Sequence, residues 1–156
     1  MKLPLLAAFL SLAALSATAA DTPGANPSVP QPSVQERLAN ARKAVDRKDW
    51  STAQRELTVV VREAPQNADA HNLLGYTYRK RASPDMARAY EHYDMALKID
   101  PGHKGAREYL GEAYLVDRRL PDAERQLVEL EKICGGPACE EYRDLAKSIA
   151  EYKAKQ

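Results

Sequence analysis

Between residues 34 and 135 the chain repeats itself. Ala53 and Leu57 precede Pro65 by the same offsets at which Ala89 and Tyr93 precede Pro101, and Ala123 and Leu127 stand in the same relation to Gly135. Upstream, Leu74-Gly75-x-x-Tyr78 matches Leu110-Gly111-x-x-Tyr114. The units run 34–67, 68–103 and 104–135, a period of about 34 residues, and the middle one carries two extra residues around Arg81-Ala82-Ser83. Self-similarity at this period describes stacked helical hairpins, because no single unit can bury its own apolar face. Ala41, Gly75 and Gly111 are small where the two helices of a pair must approach, and Ala53, Ala89 and Ala123 do the same from the second helix. Leu74, Tyr78, Leu97, Leu110, Tyr114, Leu127 and Leu130 recur at helical spacing and supply the apolar stripes.

The helix signals agree with that pattern. Ser33 and Glu36 have the spacing of a capping box, Ser83-Pro84 and Leu120-Pro121 place proline at the first turn of a second helix, and Pro65 and Pro101 end their units. Six helices are predicted, over 34–47, 50–63, 68–81, 84–98, 104–117 and 121–133. A seventh, from Pro137 to about Lys153, is apolar at Tyr142, Leu145, Ala146, Ile149 and Tyr152 and charged at Glu140, Arg143, Asp144, Lys147, Glu151 and Lys153. One apolar face and one mixed-charge face suit the cap of a repeat array, whereas a membrane-surface helix needs a strongly basic polar side.

The motif resembles the tetratricopeptide repeat, W-x2-L-G-x2-Y, then A-x3-F, then P. The second unit reads His71-x-x-Leu74-Gly75-x-x-Tyr78, Ala89-x3-Tyr93, Pro101; the third reads Arg107-x-x-Leu110-Gly111-x-x-Tyr114, Ala123-x3-Leu127, with Gly135 in place of proline. The first is worn: Arg37, Asn40, Ala41 and Ala44 hold the Trp, Leu, Gly and Tyr places, while Ala53, Leu57 and Pro65 conform. The resemblance implies an all-α, right-handed superhelix of three hairpins, with residues 136–156 as the C-terminal cap. It also implies a non-catalytic module whose first helices line a concave groove for an extended peptide or helix of a protein partner. By helical phase, Gln35, Leu38, Arg42, Asn72, Tyr76, Arg79, Glu108, Tyr109 and Glu112 would face that groove. The family members that grip chaperone C-termini use lysine, asparagine and arginine there. Leu38, Leu73, Gly105 and Tyr109 stand near those places, so no such clamp is expected.

Ahead of the repeats, Met1-Lys2, the apolar run Leu3–Leu15 and the small residues Ser16–Ala20 have the make-up of a cleaved secretory signal over residues 1–20. The run is too short for the roughly 20 residues a spanning helix needs. Residues 21–33, with Pro23, Pro27, Pro30 and Pro32, read as an extended linker. Removal of residues 1–20 leaves 22 basic and 22 acidic groups, a balance that excludes broad attraction to nucleic acid or to an acidic membrane. Export to a periplasm is the expectation, where a binding module or scaffold for an envelope assembly would serve; self-association through an open edge is a further possibility.

Catalytic signals are sparse. His71, His92 and His103 lack metal-ligand spacing, no cofactor motif occurs, and the carboxylates look scattered over solvent-facing helix positions. His71, at the Trp place, is expected to pack internally. Cys134 and Cys139 flank Gly135-Gly136-Pro137-Ala138. In an oxidising compartment the pair reads first as a structural disulfide, worth about 2 kcal/mol for so short a loop. The alternative is a thiol redox pair, with Cys139 activated in the first turn of the last helix and Cys134 resolving. Metal binding by two thiolates with no further clustered ligands ranks last.

Overall fold

A computed structural model of the chain describes residues 30–156. The expected signal and most of the Pro-rich linker lie outside the described residues. Helices α1 (Val34–Asp46) and α2 (Trp50–Glu63) form the first hairpin, α3 (Ala68–Lys80) and α4 (Met86–Ile99) the second, and α5 (Lys104–Val116) and α6 (Leu120–Cys134) the third. A 3-10 turn, Gly136–Ala138, leads into α7 (Glu140–Lys153), and the described residues contain no strand. Each helix packs on the next, α1 also touches α3, α3 touches α5, and α7 lies against both α5 and α6.

Local chemistry explains where each helix starts. A side chain accepts a hydrogen bond from the first turn at Ser33, Asp49, Asn67, Asp85 and His103, and Ser33 and Glu36 complete the expected capping box. α6 has no side-chain cap and begins with Leu120-Pro121 instead, as predicted. Pro84 behaves otherwise. The helix starts at Met86, two residues late, because Asp85 caps Arg88 N at 3.1 Å and its own N–H donates to Tyr78 O at 3.0 Å. α7 likewise starts at Glu140 and not at Pro137: Gly135 and Gly136 both take positive φ, 76° and 75°, and the 3-10 turn follows. Cys139 is therefore the N-cap residue, buried and extended, and its Cα lies 5.9 Å from that of Cys134.

The interior follows the repeat. Ala53, Ala89 and Ala123 are fully buried, as are Leu57 and Tyr93, whereas Leu127 at the matching place of the third unit is half-buried and Leu130, one turn on, is fully buried. A methyl on Gly75 would stand 2.8 Å from the Tyr93 ring and 3.0 Å from Ala89 O, so the α3–α4 approach requires glycine. Gly111 differs from expectation: a methyl there would meet the Leu145 side chain of α7 at 2.6 Å, so the close neighbour is the cap, where the second helix of its own pair was expected. α7 buries Leu145 and Ile149 and leaves its charged face out, as its apolar stripe foretold.

The place held by Trp in the repeat motif is polar in all three units, and each time it reaches across the hairpin. Arg37 donates to Glu56 at 3.0 Å, Arg107 donates to Gln126 at 3.1 Å, and His71 Nδ1 meets His92 Nδ1 at 3.1 Å. His71 packs internally as expected. Its partner His92 lies 21 residues away in sequence, and the two face one another across α3 and α4. Among the described residues no group of three or more metal-ligating side chains forms.

Candidate functional site

α1, α3, α5 and α7 are laid side by side, so one face of each contributes to a common surface. Its middle is aromatic. Trp50, the first residue of α2, meets Tyr76 edge-on with centroids 6.0 Å apart, and Tyr76 meets Tyr109 at 4.5 Å. These three rings, with Val45, Asp46, Lys48 and Lys80, line an open cavity of about 530 Å³. All three are half-buried, a state in which an aromatic side chain retains apolar area to offer a partner.

Beneath the tyrosines lies Arg79. Helical phase predicted it as a groove-facing anchor, yet it is 8% exposed and fully engaged. It donates to Glu112 at 2.6 Å and to Tyr93 Oη at 3.3 Å, and its guanidinium lies 5.3 and 5.9 Å from the Tyr76 and Tyr109 ring centroids. Burial opposes its charge, but Tyr93 and Glu112 outweigh that and hold its pKa above the ordinary value. Asn72 is also withdrawn, 5% exposed, with its Oδ1 buried and unpartnered. Of the other expected groove residues, Gln35 is exposed, Leu38 packs on the core, and Arg42 is exposed but joined to Asp69 at 2.6 Å. Asp69 also accepts from His103 Nε2 at 3.0 Å, which ties α1, α3 and the N-cap of α5 together along one edge. Tyr76, Glu108, Tyr109 and Glu112 remain at the surface, half-buried.

Next to the aromatic row, carboxylates converge. Glu108 and Glu112 of α5 share a cavity of about 240 Å³ with Asp144, Lys147, Ser148 and Glu151 of α7. This corrects the reading of scattered acids, and the cause is the docking of α7 against α5, which no local pattern encodes. Burial first, then Glu112, Asp144 and Glu141, push the Glu108 carboxyl up to about 8. Burial and Glu108 together push the Tyr109 hydroxyl up to about 12. Ser148 donates to Glu112 at 3.3 Å, so Glu112 is held from both sides.

Trp50, Lys48, Lys80, Asp144, Lys147 and Glu151 belong to this surface although helical phase within the first helices did not select them. Trp50 could have been found as the single tryptophan of the chain, standing at the start of α2 beside this surface.

No family model matches the chain, and no curated protein matches it. Solved structures do. The TPR2B domain of yeast Sti1, in complex with pHsp70, has a TM-score of 0.67 at 16% identity, over 79% of this chain and 98% of that one. The Yersinia enterocolitica type III secretion translocator chaperone SycD gives 0.67 at 14% identity, over 78% and 84%. A mutant O-GlcNAc transferase of Thermobaculum terrenum gives 0.66 at 19% identity; 74% of this chain is covered but only 22% of that enzyme. These likenesses establish the class of fold. The chain is an all-α superhelix of hairpins of the tetratricopeptide-repeat type, as the resemblance of its repeats implied.

Proposed function

We propose that this protein is a non-catalytic binding module that takes a protein segment on a concave groove formed by α1, α3, α5 and α7. The observation that carries the reading is the row Trp50–Tyr76–Tyr109, which opens onto a cavity of about 530 Å³ on the first-helix face. Aromatic side chains in such settings are the usual anchors of interfaces, since they bury large area with few rotamers to freeze. Neighbours of this fold support it, the Sti1 domain being a complex with pHsp70. The lysine, asparagine and arginine of a chaperone-tail clamp are not in place here, so the partner is of another kind. The make-up of residues 1–20 supports export, and with it a role in a periplasm as a scaffold in an envelope assembly.

Cys134 and Cys139 fit this reading as a disulfide staple. They fix the α6–α7 junction, and Cys139 is buried, which suits a structural bond better than an exchanging thiol. Serine at both positions should lower stability by about 2 kcal/mol. Two readily titrated thiols in the folded, aerobically purified protein would overturn the staple.

The binding test is a pull-down from envelope extract with the wild type and with Trp50→Ala/Tyr76→Ala. Loss of specific partners from the variant is expected; identical partner sets would remove the groove from consideration. Fractionation tests location: the processed chain should leave the cell with osmotic shock, and retention in the cytoplasm would contradict export.

A further inference from the structure

We infer that the segment received by this face carries a basic side chain beside an aromatic or other apolar one, the base entering the carboxylate cavity and its neighbour seating on the Trp50–Tyr76–Tyr109 row. The inference rests on the groove reading and adds the chemistry of the occupant. Two adjoining cavities carry it. One is lined by Val45, Trp50, Tyr76 and Tyr109, with Lys48, Lys80 and Asp46 at its sides. The other is lined by four carboxylates, Glu108, Glu112, Asp144 and Glu151, against a single ammonium, Lys147. Tyr109 belongs to the first and Glu108 to the second, and they are consecutive on α5, so a single short segment lies within reach of both.

Charge decides the occupant. Arg79, the buried cation nearest these acids, is committed to Glu112 and Tyr93 and lies against the tyrosine rings. Lys147 stands 4.0 Å from Glu151 and is largely exposed. Among the described residues neither Glu108 nor Asp144 forms an ion pair, although Glu108 is half-buried beside other carboxylates. A guanidinium or ammonium arriving from a partner would relieve this repulsion, while an acidic segment would add to it; like-charge juxtaposition is a strong means of excluding wrong partners. A cation seated there also lies close to tyrosine rings able to hold the adjoining side chain.

The test uses the full chain, immobilised, and a randomised library of dodecapeptides blocked at both ends. Retained peptides should be enriched in arginine or lysine next to an aromatic residue or proline. The best of them should lose about tenfold in affinity on Glu108→Gln/Asp144→Asn, with a marked loss on adding salt. Its affinity should rise between pH 6 and 9 as Glu108 ionises. Circular dichroism melts establish that the variant is folded. Retention of neutral or acidic peptides that still require Trp50 and Tyr76 would overturn the cationic occupant and leave the groove standing. Retention indifferent to Trp50→Ala/Tyr76→Ala, or no enrichment at all, would overturn both.

Discussion

Arg79 and Tyr76 sit three residues apart on α3, yet they do different work. Arg79 holds Glu112, Tyr93 and two tyrosine rings together from beneath, whereas Tyr76 keeps part of its ring at the surface. Removing one partner of a buried ion pair leaves the other charge stranded, so Arg79→Ala should cost about 3 kcal/mol in a denaturant melt. Tyr76→Ala removes half-buried area only and should cost about 1 kcal/mol. Equal losses would mean that Arg79 is no hub. Titration separates two further groups. His71 and His92 have pKa values below the ordinary one, chiefly through burial, with His71 and Arg88 also acting on His92 against Glu91. The stability they contribute is present above the unfolded value of about 6.5 and is lost as pH falls below it. Glu108 runs the opposite way. With its folded pKa at about 8, its contribution is intact near pH 4.5 and is lost as pH rises through 8. Glu108→Gln should therefore melt a few degrees above the wild type at pH 9, with the gap closing by pH 5. A gap that does not change with pH would show that Glu108 is not held in its neutral form.

At the level of elements, the hairpin turns are of two kinds. The α1–α2 and α5–α6 turns share one design: Lys48 and Arg118 adopt φ of 58° and 59°, and Asp49 and Arg119 donate back to Ala44 O and Tyr114 O. A non-glycine residue in the left-handed region is strained, and Arg118 makes no ion pair among the described residues that would justify it. Arg118→Gly should raise the unfolding free energy by about 0.5 kcal/mol, strain relief exceeding the added chain entropy. The α3–α4 turn has no residue at positive φ, because its two extra residues allow an extended exit at Arg81 and an Asp85 cap. For the same reason Pro84 precedes the cap of α4 and does not stand in its first turn. Proline at a first turn and proline just before a cap satisfy the same local restriction, and the Asp85 hydrogen bonds with Arg88 N and Tyr78 O separate them.

For the whole molecule, the array is closed by α7. Leu145 fills the space over Gly111, Ile149 joins the cluster of Leu115, Ala123 and Leu130, and Lys153 pairs with Glu124 at 2.6 Å. A chain ending at Gly135 would expose this cluster. It should self-associate in light scattering and lose the cooperative melt of the third hairpin. A monodisperse, fully cooperative truncation would show that α7 is dispensable as a cap. The same helix completes the proposed site, since Asp144, Lys147 and Glu151 reach the α5 carboxylates only when it is docked.

Hairpin order, helix positions to within a turn, the glycine at 75, the capping box and the amphipathic seventh helix were all legible in the chain. Each is a local or periodic property, set by backbone geometry and by spacing along one helix. The burial of Arg79, the His71–His92 contact, the α5–α7 acid cavity and the place of Trp50 in the aromatic row were decided only in three dimensions. The energy of a charge or a ring depends on what neighbouring helices bring within a few ångströms. That is fixed by how hairpins dock, and no stretch of sequence shorter than the docked pair contains it.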